Sequence, residues 1–260
     1  METFIIILVT FFAGMGAGLG TGFAGMSAAA VIAPMLTVLL GFDFNIAVGI
    51  ALASDVLASA VSAITYGKNK NIDIKNGLIM LACVLAFTVL GSYVSSLVPS
   101  TAMGSVSAIV TVFMGIKFLV RPLMTTKEKM NSVSKTKRIV GSIIGGALIG
   151  FVCGFVGAGG GMMMLLILTA VLGYELKMAI GTSVFIMAFT ALTGSLSHFL
   201  IEGAQPDWLV FGLCVGFTFI WAQIAALIAN KVNAKTLNRL LGAILVVLGT
   251  VIVVFSFIPK

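Results

Sequence analysis

Long stretches of this sequence carry no charge at all. No Asp, Glu, Lys or Arg occurs from Thr3 to Phe42, from Asn76 to Ile116, or from Ile139 to Tyr174. Shorter clean runs cover Met178–Ile201, Trp208–Asn230 and Leu240–Pro259, and Phe44–Gly67 is broken only by Asp55. A bilayer crossing needs about 20 apolar residues. Each of the three long runs therefore holds two helices, or one helix and a re-entrant segment. Charged residues make up 9% of the chain and apolar residues 60%, against roughly 25% and 45–50% in soluble domains. That balance excludes a water-soluble enzyme and a disordered chain. Cys83, Cys153 and Cys214 lie in apolar runs and form no C-x-x-C pair, so they read as small buried residues and not as a disulfide framework or zinc site. The runs also lack the period-two alternation of a transmembrane barrel.

The expected fold is an all-α polytopic membrane protein with ten apolar segments. They lie near residues 4–22, 27–40, 45–66, 76–97, 103–120, 139–155, 160–172, 178–200, 208–229 and 236–257, of which 27–40 and 160–172 are short for a full crossing. Glu2 stands where a signal peptide would be positive, so the first run reads as a membrane segment.

An internal repeat organises these segments. A shift of 132 residues aligns Phe12–Tyr66 with the second half without gaps. Gly14, Gly18, Gly22, Phe23 and Gly25 then fall on Gly146, Gly150, Gly154, Phe155 and Gly157, and Gly41 and Gly49 fall on Gly173 and Gly181. A two-residue insertion carries the match onward, with Gly115 on Gly249. The expected organisation is a first transmembrane repeat over residues 1–120, a basic linker over 121–138, and a second repeat over 139–260. The linker carries six basic residues and one acid, Glu128, and reads as a cytoplasmic loop. Lys68, Lys70 and Lys75 mark a second cytoplasmic loop. Its second-half counterpart, Ile201–Asp207, has Glu202 and Asp207 and no Lys or Arg. The uncharged turn at Pro99–Ser100 corresponds instead to basic Lys231–Lys235. Equivalent loops of opposite charge bias are the signature of an inverted-topology repeat. Each half then crosses an odd number of times, as five crossings or as three plus a re-entrant pair, with both termini outside. This asymmetry accounts for the net charge of +7, and nucleic acid is not implied.

Gly14, Gly18 and Gly22, like Gly146, Gly150 and Gly154, are spaced by four. Such faces let a second backbone approach closely. The run Gly157-Ala158-Gly159-Gly160-Gly161 cannot sustain a helix cheaply. It falls between two apolar segments, and irregular backbone at membrane depth is buried in protein or lines a cavity. The helix restarting after it offers free N–H groups and a positive dipole end, a ready anion site. The counterpart Gly25-Met26-Ser27-Ala28-Ala29 is weaker, with Ser27 placed to cap the next helix. The candidate substrate-binding residues are Gly25, Ser27, Gly157, Gly159, Gly160, Gly161, Thr182 and Ser183. A tight turn between packed helices is the competing explanation of the glycine run.

Asp55 is the one acid inside a membrane segment. A carboxylate there costs roughly 2.5–3.5 kcal/mol even on insertion scales. Asp55, Ser59, Ser62 and Tyr66 share one helical face, and the second-half stripe holds Ser183, Met187, Gly194 and His198. Asp55, Ser59, Ser62 and His198 are the candidate pathway or proton-coupling residues. The alternatives are a structural acid for Asp55 and an interfacial position for His198. Lys117 and Arg121 snorkel to the cytoplasmic surface.

The series Gly154-Phe155-Val156-Gly157-Ala158-Gly159-Gly160-Gly161, then Gly173, Ala179-Ile180-Gly181-Thr182-Ser183, Gly194 and Asp207-Trp208 resembles the sulfite exporter TauE/SafE family of membrane permeases. The first half departs from it, with Ser27-Ala28-Ala29 in the glycine run and Gly49-Ile50-Ala51 for G-T-S. The resemblance implies transport of a sulfur-containing anion such as sulfite, sulfoacetate or a related sulfonate, often as export. The partners expected are that small anion, protons and the lipid bilayer, with a homo-oligomer allowed and neither cofactor nor metal needed. The location implied is the cell membrane of a prokaryote. Broken helices in an inverted repeat favour an alternating-access carrier over the alternatives, an anion channel or a structural membrane subunit. A third alternative, an intramembrane hydrolase, rests only on Ser195 and His198, which share one helix and leave no base on a facing one.

Overall fold

The computed structural model describes residues 2–95, 97, 134–156, 160–202, 206–233 and, of the last segment, 235–237, 239–240, 243, 246–247 and 250. Among these every regular element is helical: α1 (Glu2–Ala24), α2 (Ala29–Leu40), α3 (Phe44–Lys68), α4 (Ile74–Ser95), α5 (Lys135–Val156), α6 (Gly160–Leu166), α7 (Leu176–Glu202) and α8 (Trp208–Lys231). A single π-helical stretch, Ile167–Val171, follows α6. Six of these helices, α1, α3, α4, α5, α7 and α8, are long and apolar enough to cross a bilayer. The sequence segment at 103–120 lies outside the described residues, as does most of 236–257.

Polar side chains close the starts of several helices. Asp43 accepts from the Asn45 N–H at 2.9 Å to start α3, and Asp207 accepts from Leu209 and Val210 to start α8. The Asn76 N–H donates to Asp73 Oδ1 at 3.2 Å in the first turn of α4. These caps satisfy amides that have no partner inside the helix. α5 starts inside the expected linker: Ser134 Oγ accepts from the Lys137 N–H, so Lys135–Arg138 are helical. A serine cap, and not the last basic residue, sets the start of α5.

Helix α1 lies along α8, α4 along α5, and α3 along α7; α3 also meets α8, and α4 meets α7. The two glycine faces make the first two pairings close. A Cβ on Gly18 would sit 2.5 Å from Thr218 O and one on Gly22 2.5 Å from Ala222 O, both on α8. A Cβ on Gly150 or Gly154 would strike the Val84 or Thr88 carbonyl of α4. Small-residue packing of this kind replaces the hydrophobic drive that lipid cannot supply. Helices α3 and α7 are the most buried spans, and Ala29–Leu36 of α2 are buried where α2 packs on α1 and α3. Large apolar side chains such as Phe4, Ile144, Leu196 and Leu200 face outward.

Candidate functional site

The chain leaves helical geometry after Ala24. Gly25 takes φ +63, a conformation that costs glycine little, and its N–H closes α1 on Thr21 O at 2.8 Å. Thr21 Oγ1 donates to Met26 O at 3.0 Å, which holds the turn from behind. Ser27 Oγ accepts from the Ala29 N–H at 3.3 Å, so Ser27 does contribute to the start of α2. The first donors of α2 are therefore held in a fixed, buried turn: Met26, Ser27 and Ala28 are at most 1% exposed.

The start of α6 meets this turn. A Cβ on Gly161 would run into Gly25 O and lie 2.6 Å from Ser27 N. Backbone therefore touches backbone, as only glycine permits. A Cβ on Gly160 would lie 2.8 Å from Cys153 Cβ. Ser183 Oγ, from α7, donates to Gly25 O at 2.9 Å. Of the expected binding residues, Gly25, Ser27, Gly160, Gly161 and Ser183 converge here. Gly157 and Gly159 lie outside the described residues. Thr182 points elsewhere: its Oγ1 accepts from the Asp73 N–H at 3.0 Å, because successive helical residues stand about 100° apart.

Asp55 faces the same junction. It is fully buried, and Ser59 Oγ donates to its Oδ1 at 2.7 Å. The Ser27 hydroxyl and the Ala28 N–H approach the carboxylate from the α2 start, and Cys153 approaches from α5. None of them closes a hydrogen bond to Oδ2, which is without a partner among the described residues. Ser62 Oγ, two turns along α3, is likewise buried and unpartnered. Tyr66 ends the stripe by donating to Gly22 O at 2.9 Å. His198 is buried, at 3% exposed; it belongs to the far end of α7, where neighbouring Phe199 packs on Gly49. Ser195 does not serve His198, since its Oγ donates to Gly49 O at 3.0 Å.

Chemically, the junction offers backbone donors, hydroxyls, one carboxylate and one thiol in a dry setting. Sequence reasoning missed Cys153, which looks like any small apolar residue in its run.

The sulfite exporter TauE/SafE family pattern matches residues 10–252. The chain is 27% identical over 269 aligned residues to "Probable membrane transporter protein YunE" of Bacillus subtilis (strain 168), covering 95% of this chain and 96% of that protein. It is 27% identical to a "Probable membrane transporter protein" of Haemophilus influenzae, covering 95% and 97%. A third relative, "Probable membrane transporter protein MJ0441" of Methanocaldococcus jannaschii, is 26% identical with 94% and 93% covered. The family pattern spans both glycine faces, the turn at Gly25 and the Asp55 helix: this chain belongs to the sulfite exporter TauE/SafE family.

Proposed function

We propose that this protein is a cell-membrane secondary transporter that carries a small sulfur-containing anion, such as sulfite, sulfoacetate or a related sulfonate, by alternating access around the junction of the two helix interruptions. The observation that carries this reading is the backbone contact of Gly161 with Gly25 and Ser27 beside a buried carboxylate whose Oδ2 has no partner among the described residues. Gly25, Ser27, Gly157, Gly159, Gly160, Gly161 and Ser183 hold the anion with amides and hydroxyls, and Thr182 fixes the α7 turn that carries Ser183. Asp55, with Ser59 and Ser62, exchanges protons with the pathway; His198 lines its outer end. The names of the relatives, all membrane transporters, support transport as the general activity.

The pairing of helices supports an inverted repeat. The 132-residue shift turns α1 to α4 into α5 to α8. The α1–α8 contact then becomes α5–α4, the α3–α8 contact becomes α7–α4, and α3–α7 maps on itself; all of these contacts are made. Gly41 and Gly173, equivalent in the shift, end their segments at φ 73 and 70. In the membrane, Lys68–Lys75, Arg121–Arg138 and Lys231–Lys235 face the cytoplasm, and Asp43, Glu202–Asp207 and both termini face out.

Single-cysteine labelling tests this arrangement. In a background without the three native cysteines, an impermeant thiol reagent added outside cells should modify Gly203→Cys and spare Asn69→Cys. Equal labelling of both would end the inverted-repeat reading.

A further inference from the structure

We propose that Asp73, Tyr174, Arg138, Asn76 and Thr182 form a latch that closes the lysine-bearing end of the protein, and that release of the Tyr174 hydroxyl from Asp73 opens that end during transport. The proposal rests on the transport cycle put forward above and, Thr182 apart, assigns residues that the binding site does not use.

Asp73 lies between α3 and α4, where four separate elements meet. Tyr174 Oη, from the segment before α7, donates to Asp73 Oδ2 at 2.8 Å, and Asn76 Nδ2 donates to the same oxygen at 2.7 Å. The Asp73 N–H donates to Thr182 on α7. Arg138, at the start of α5, lies 5.9 Å from the centre of the Tyr174 ring, within cation–π range. Two further bonds bind the same end: Asn71 Nδ2 to Asn230 Oδ1 at 3.0 Å, and Lys177 Nζ to Asn230 O at 2.9 Å. Every one of these contacts except the Asn76 bond joins the first half to the second or ties down the second half beside it.

Burial alone would raise the Asp73 pKa. Hydrogen bonds from Asn76 and Tyr174, with the Arg138 charge, outweigh that and hold the carboxyl below its ordinary 3.8. Burial and the Asp73 carboxylate push the Tyr174 hydroxyl upward, so it stays a donor. At neutral pH the bond is thus a charge-assisted one.

The repeat supplies a built-in comparison. With the two-residue insertion, Asp73 corresponds to Asp207, and both acids cap the following helix. The other partners have no polar equivalent: Tyr174 corresponds to Phe42, Arg138 to Ile6, Asn76 to Val210 and Thr182 to Ile50. The acid is shared because both helices need a cap. The polar partners exist at one end only. At the opposite end a cavity of about 670 Å³, lined by residues including Ser195, Phe199, Pro206 and Trp208, lies beside Asp207. Coupling to the binding junction is direct, because Thr182 on the latch and Ser183 on Gly25 are consecutive residues of one helix.

The test uses Cys153, buried beside the junction, as the sole thiol in a Cys83→Ala, Cys214→Ala background. Its rate of modification by a small impermeant methanethiosulfonate is measured from each face, in right-side-out and inside-out vesicles, without any substrate. Tyr174→Phe should raise the rate from the lysine-bearing face by at least tenfold, as expected for a lost hydrogen bond to a charged group, and lower it from the other. Asn76→Ala, which removes a different bond to the same carboxylate, should shift both rates in the same directions. A rate unchanged at both faces, or raised equally at both as in a loosened fold, overturns the latch. Because no anion is added, the labelling result stands or falls apart from the identity of the substrate. Loss of anion transport in the parent protein would instead overturn the transport reading.

Discussion

Gly161→Ala should cut anion transport by roughly tenfold to a hundredfold while the protein still inserts and purifies normally. The added methyl would meet Gly25 O and the Ser27 amide, and neither is the movable tip of a side chain. Overpacking of this kind costs about 1–3 kcal/mol, and each 1.36 kcal/mol is about tenfold in rate. The cost falls on the pair of interruptions that the transport reading requires to hold and release the anion. Gly160→Val should act the same way through Cys153. Gly212→Ala and Gly216→Ala are the controls, since a Cβ at either position meets nothing within 4 Å; they should transport like the parent. Vesicle uptake normalised to inserted protein reads all four. Parental transport in a well-inserted Gly161→Ala would mean that the two interruptions are a static turn.

Asp55→Asn should flatten the pH profile of net transport and leave counterflow largely intact. The ionised carboxylate opposes an anion held at the neighbouring amides; two like charges about 4 Å apart cost about 4 kcal/mol at an effective dielectric constant near 20. Protonation removes that repulsion, so transport by the parent should rise as pH falls. Asparagine keeps the shape and the Ser59 bond but does not titrate. The variant should therefore hold the low-pH rate across the range. Among the described residues the thiol of Cys153 also interacts electrostatically with Asp55, and Cys153→Ala should leave the profile in place. An unchanged profile in Asp55→Asn would make Asp55 a structural acid. Should that variant fail to insert, Asp55→Glu replaces it, with a displaced midpoint expected.

How much of this was legible in the sequence depended on the kind of signal. The six long helices were legible because uncharged runs of bilayer length admit little else; their ends differ by a few residues, most at α5, where Ser134 starts the helix inside basic sequence. The glycine faces were legible because spacing by four is a local property of a helix. The meeting of Gly161 with Gly25 was not legible, since no local rule says that segments so far apart in the chain touch. Thr182 and Ser183 looked alike as neighbours in one motif, yet the helical turn between them sends one to Asp73 and the other to Gly25. Tyr174 carried no sequence signal as a functional residue. Its role emerges only when Asp73, a hundred residues earlier, is brought beside it.

The central claim is carriage of a small anion around one closed junction, and counterflow in proteoliposomes tests it most directly. Purified protein is reconstituted, the vesicles are loaded with unlabelled sulfite, sulfoacetate or methanesulfonate in parallel, and uptake of a trace of the labelled anion is followed outside. For at least one of these anions, the internal load should drive a transient, saturable overshoot of label that Gly161→Ala lacks. Uptake that never exceeds equilibrium and does not saturate, or the absence of uptake for every anion, would contradict the account.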